Sequence, residues 1–120
     1  MDPRHQRRVE LLQELFAWSF TPQTLETALS TQKGQILELL QALPEIDKVI
    51  SSAAPERPLS AVNKVDVAVL RLILFESQHS KTPKKVLIDE AIELAKEFGS
   101  DSSSKFVNGV LAKLLLERPE

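Results

Sequence analysis

Residues 65–75 read Val-Asp-Val-Ala-Val-Leu-Arg-Leu-Ile-Leu-Phe, with Glu76 immediately after. Apolar side chains cover this run nearly all round when it is wound as a helix, with Asp66 and Arg71 as polar exceptions. A helix apolar on every side is contacted from several sides, so it belongs at the centre of a helical bundle. Asn63 can cap it, and Asp66 falls in its first turn, where the helix dipole favours an acid. A buried arginine must be paired. Arg71 therefore predicts a structural salt bridge, with Glu90 or a neighbouring helix C-terminus as the expected partner. Glu76 reads either as an exposed helix-end acid or as an anchor for a basic partner.

The segments on both sides also have helical rather than alternating spacing. Towards the N-terminus, Val9, Leu11, Leu12, Leu15, Phe16 and Trp18 form an apolar band over a helix predicted at residues 4–18. Thr21-Pro22 is a helix start signal. A second helical region carries Leu25, Leu29, Ile36, Leu37, Leu39 and Leu40, and Pro44 is expected to interrupt it before a short third helix with Ile46, Val49 and Ile50. Residues 51–58 (SSAAPERP) read as a connector. Towards the C-terminus, Thr82-Pro83 repeats the start signal, and the helix it opens ends at Gly99. Asp101 or one of Ser102, Ser103 and Ser104 caps a last helix with Phe106, Val107, Val110, Leu111, Leu114 and Leu115. Gly109 inside that helix predicts close approach of a neighbouring helix or of a ligand backbone, with tight helix packing the favoured reading. The expected fold class is all-α: one domain, a compact bundle of six or so helices in two roughly three-helix halves, about 1–53 and 59–117.

The chain has 120 residues, enough for one domain with its own core, and no cysteine. No apolar run approaches the roughly 20 residues of a membrane span, and the start (Met1-Asp2-Pro3-Arg4-His5) lacks the apolar core of a signal peptide. A cytoplasmic protein is the expectation. Net charge is −2, yet Arg4, Arg7 and Arg8 cluster near the start, so a local basic site fits better than non-specific coating of nucleic acid.

Enzymatic motifs are nearly absent. The histidines, His5 and His79, stand far apart in sequence, with no thiolate to complete a metal site. No glycine-rich phosphate loop occurs. Ser102 to Lys105 matches S-x-x-K only formally, since its companion motifs are missing. Asp89, Glu90 and Glu93 read as a solvated helix face, with Lys96 as partner to Glu93. The expectation is a non-enzyme without cofactor or metal. Arg4, Arg7 and Arg8, at i, i+3 and i+4, share one side of a helix and suit phosphate through the guanidinium fork.

Three blocks resemble the NusB family. The first is Arg4, Arg7-Arg8 and residues 11–18 (LLQELFAW). The second is Val65-Asp66, Val69-Leu70-Arg71-Leu72 and Phe75-Glu76. The third and most specific comprises Pro83, Val86 and residues 88–96 (IDEAIELAK), then Phe98-Gly99 and residues 104–111 (SKFVNGVL). The likeness covers residues 1–18 and roughly 54–111, whereas residues 21–53 match only as generic helices and look short for the family.

The resemblance implies an RNA-binding transcription antitermination factor. With a NusE-like small-subunit ribosomal protein, it would bind single-stranded boxA-type RNA in nascent transcripts such as ribosomal RNA and help RNA polymerase resist termination. It carries Arg4, His5, Arg7, Arg8 and Phe16 over as RNA contacts, with Lys105 and Asn108 weaker, and Glu76 as a partner contact. Phe16 and Phe75 stand where the family often has Tyr, Asp89 replaces the usual Asn, and Ala112 stands where Asp is common. With His5 and Gln6 at positions basic in arginine-richer relatives, weaker RNA binding by the chain alone and a shallower salt dependence are expected. Two other readings are a helical protein-interaction module without RNA binding of its own, and a relic of the NusB-like domain fused to RNA methyltransferases.

Overall fold

The computed structural model describes residues 2–20 and 34–116. Among these residues the chain forms five α-helices and no strand: α1 (Pro3–Phe20), α2 (Gln35–Ala53), α3 (Lys64–His79), α4 (Lys84–Phe98) and α5 (Ser103–Leu111). A single 3₁₀ turn, Leu59–Ala61, precedes α3, and a wider π turn, Ala112–Leu116, continues α5. Thr21-Pro22 and the apolar positions up to Leu29 lie outside the described residues.

The centre of the bundle is α3. Residues 66–70 and 72–75 are all buried, and the helix packs against α1, α2, α4 and α5. Asn63 starts it as expected: its Oδ1 accepts a hydrogen bond from the Val65 amide at 2.8 Å. The buried apolar side chains of all five helices join in one core. At about 1.5–3 kcal/mol for each fully buried large aliphatic residue, this burial dominates the stability of the fold.

Pro44 does not end α2, which runs unbroken from Gln35 to Ala53. Proline removes the amide that would bond the Leu40 carbonyl, at a cost of about 3 kcal/mol in a helix interior. Leu39, Leu40, Leu43, Ile46 and Ile50 are nonetheless all buried along one face spanning that position. Their combined burial outweighs one lost hydrogen bond. The expected third helix is thus the second half of α2, and Ser51 to Ala53 belong to the helix rather than to the connector.

Two further expectations change. Arg71 pairs neither with Glu90 nor with a helix end. Its Nε and Nη2 donate to Asp47 Oδ1 and Oδ2, both at 2.9 Å, which ties α2 to α3. Gly109 has no closely packed helix against it among the described residues: it is exposed, and a Cβ there would meet nothing within 4 Å. The closely packed glycine is Gly99, where a Cβ would lie 2.5 Å from Ser103 Oγ and 2.7 Å from the Ala95 carbonyl oxygen. Ser103, fully buried, uses that Oγ to accept the Ser100 amide at 2.9 Å, which folds the α4–α5 turn tightly.

Candidate nucleic-acid interface at the start of helix α1

Asp2 caps α1 by accepting the Arg4 amide at 2.8 Å, so the helix already runs through the arginine cluster. The winding of α1 then separates the three arginines. Arg8 is in phase with Leu11, Leu12 and Leu15, all buried, and it turns inward with them, only 6% exposed. Its Nε and Nη2 form a two-pronged pair with Glu76 Oε1 and Oε2 on α3, at 2.7 and 2.6 Å. Its Nη1 lies 3.4 Å from Glu90 Oε2 on α4. The hydrogen bonds to Glu76, aided by the charges of Glu76 and Glu90, outweigh desolvation and raise the guanidinium pKa above its ordinary value.

His5 joins the same cluster. Its Nδ1 is 2.9 Å from Glu90 Oε2, and its Nε2 is 3.4 Å from Glu97 Oε2. The hydrogen bond to Glu90, opposed by burial and reinforced by Glu97, raises the His5 pKa above its usual value. Glu90 therefore leaves the solvated face expected of it and bridges two α1 side chains, His5 and Arg8. Together these contacts pin the first turns of α1 to α3 and α4. Glu76 does anchor a basic group, and that group is Arg8 of the same chain.

The other two arginines face outward. Arg4 is exposed, and its guanidinium has no ion-pair partner among the described residues. Arg7 is exposed as well: its Nε donates to Gln35 Oε1 at 2.9 Å, and its Nη1 to Glu10 Oε2 at 3.3 Å. Arg4 and Arg7 line a groove of about 390 Å³ with Leu11, Phe75, His79 and Thr82.

Phe16 lies three turns further along α1, roughly 18 Å from Arg4 along the helix axis. It is half-buried, meets the Phe20 ring edge-on at 4.7 Å between centroids, and lines a smaller groove with Leu12, Gln13, Val65 and Phe98. Lys64 sits over the exposed Phe20 ring at 5.3 Å, adding a cation to this end. Lys105 and Asn108 are exposed on α5. No hydrogen bond or ion pair among the described residues joins them to α1. Between them Phe106 is half-buried under the Arg57 guanidinium, 5.2 Å from the ring centroid.

Arg4 and Arg7 thus share one side of α1, whereas Phe16, about 180° of winding from Arg7, faces the other side and a separate groove; His5 and Arg8 fix the helix to the bundle, and Lys105 and Asn108 stand on a separate helix. The sequence reading missed the linking role of Glu90 and the place of His79. The phase of Arg8 with the buried leucines was the available signal for its inward turn. Among the described residues no group of three His, Cys, Asp or Glu side chains is placed to hold a metal ion, and no helix is long and apolar enough to cross a membrane.

Comparison with known proteins agrees with this architecture. The NusB family model matches residues 5–115. Transcription antitermination protein NusB of Chloroflexus aggregans is 42% identical, over 93% of this chain and 86% of that protein. The protein of the same name from Lysinibacillus sphaericus is 41% identical, over 92% of this chain and 94% of its own length. The solved structure of T. maritima NusB superposes with a TM-score of 0.79 at 29% identity, covering 98% of this chain and 93% of that one.

Proposed function

The chain belongs to the NusB family, and from that premise we propose that it is a transcription antitermination factor acting by binding rather than catalysis. It binds single-stranded boxA-type RNA in nascent transcripts such as ribosomal RNA, together with a NusE-like small-subunit ribosomal protein, within an RNA polymerase antitermination complex. The observation that carries this reading is the presentation of Arg4 and Arg7 on a helix start whose other basic side chains, His5 and Arg8, are partnered internally. Holding these guanidiniums on a docked helix lowers the entropy lost when they engage phosphates. Phe16 offers an aromatic face further along α1, on its other flank, for an unstacked base. Arg8 acts by position, since its fork is already filled by Glu76. Lys105 and Asn108 on α5, and the rim of Glu76 left by Arg8, remain the expected outer contacts with RNA and partner.

The test is a titration of labelled single-stranded boxA-type RNA against a scrambled control, with and without the NusE-like partner. Wild type is compared with an Arg4→Gln/Arg7→Gln variant across a range of salt concentrations. Each phosphate contact on a single strand contributes about 0.7 to the slope of log affinity against log salt, so the double variant should lose roughly 1.4 units of slope. Equal, partner-independent binding of both RNAs by wild type would remove the RNA reading and leave a protein-interaction module.

A further inference from the structure

His79 ends α3 and stands exposed beside the arginines of α1, in the same groove as Arg4 and Arg7. Its ring is held rather than free. It stacks on Phe75 with centroids 4.2 Å apart and planes 27° from parallel, and its Nδ1 is 2.9 Å from the Phe75 carbonyl oxygen. A carbonyl can only accept, so Nδ1 carries the hydrogen and Nε2 is left as the group available to a ligand. Phe75 is buried and supports the inner face of the imidazole, so the outer face is the exposed one. The result is a flat, preorganised aromatic surface next to exposed cations.

The charge of the groove selects the ligand. Among the arginines and carboxylates of the lining, Arg4, Arg7 and Arg8 oppose Glu76, a formal sum of +2, with Arg7 also paired to Glu10 at 3.3 Å. Glu76, the one carboxylate among the lining residues, is already engaged by Arg8. Ser80 and Thr82 add hydroxyls at the rim, hydrogen-bonded to each other at 3.0 Å. Lys81, Lys84 and Lys85 follow on the adjoining turn and α4 start, all exposed. Cations and a supported ring lining one groove fit a nucleotide, with its phosphate on guanidinium and its base on a π-face. An acidic peptide would use the cations but leave the ring face unused.

We propose that this groove holds one unpaired nucleotide of the bound RNA, with His79 as the base platform and Arg4 and Arg7 as the phosphate contacts. This rests on the RNA-binding reading above and extends the RNA path from α1 across to the α3–α4 turn. His79 is at the surface, so replacing it leaves the core intact.

The experiment compares wild type, His79→Ala, His79→Phe and Arg4→Gln/Arg7→Gln in the same titration, using the boxA-type RNA with the NusE-like partner present. Losing one base–aromatic stack should weaken binding about tenfold in His79→Ala, whereas His79→Phe keeps a ring and should stay within about threefold of wild type. If His79→Ala binds as tightly as wild type while the arginine variant is weakened, the platform is wrong and the RNA reading stands. Equal losses in His79→Ala and His79→Phe would overturn the stacking role. A wild type that binds neither RNA would overturn both readings. If His79→Ala weakened only partner binding measured without RNA, the groove would take a peptide and the nucleotide proposal would fall.

Discussion

Replacing Arg8 with Met tests whether the start of α1 is locked to the bundle. Methionine keeps a long, flexible stem and removes the guanidinium. Glu76 and Glu90 then lose their shared cation. Removing one partner of a buried ion pair typically costs about 3–5 kcal/mol, because the other charge is left uncompensated. Here the Arg8 side chain is 7% exposed, but Glu76 and Glu90 retain 20% and 22%, so water takes over part of the lost interaction. The expected loss is therefore reduced to about 2–3 kcal/mol. An unfolding entropy of about 2.1 cal/mol/K per residue, taken over the whole chain, makes each kcal/mol worth roughly 4 °C. The melting temperature of Arg8→Met, followed by far-UV circular dichroism, should fall by about 8–12 °C. Adding Glu76→Leu should recover at least half of the loss, since replacing both members of a buried pair by apolar groups is often nearly neutral. A folded Arg8→Met variant melting within about 2 °C of wild type would refute the lock.

The two glycines of the C-terminal helices should respond with opposite signs. Gly109→Ala, on an exposed helix face with open space around the added methyl, should stabilise by about 1 kcal/mol. Gly99→Ala should destabilise by about 1–3 kcal/mol, because its methyl meets Ser103 and the Ala95 backbone; urea unfolding of both variants reads the two signs directly. His5 has a folded-state pKa raised first by its hydrogen bond to Glu90. Its charged form therefore contributes stability fully below the unfolded-state value of about 6.5, and that contribution is lost as pH rises through the higher folded value. The stability advantage of wild type over His5→Gln should be largest near about pH 5 and smallest near about pH 9, and a pH-independent difference would show that the Glu90 contact does not hold the ring.

Helix identity and the central place of α3 were legible in the chain because both depend on local order. Side chains three and four residues apart meet on one face whatever the rest of the molecule does, and a run apolar on all faces can be satisfied only by neighbours on all sides. The Asn63 cap and the membership of Arg4 and Arg7 in one helix rest on the same short-range geometry. Even the burial of Arg8 was implicit in its phase with Leu11, Leu12 and Leu15. What required the fold was every relation between helices. Arg8 finds Glu76 across 68 positions and Arg71 finds Asp47 across 24, because packing sets each helix's rotation and height against its neighbour. Pro44 sits inside α2 because the side chains before and after it share one buried face, an energy that exists only once α2 is docked. The groove holding His79 beside Arg4 and Arg7 is of the same kind. Each residue was visible singly, and the packing of the end of α3 against the start of α1 made them neighbours.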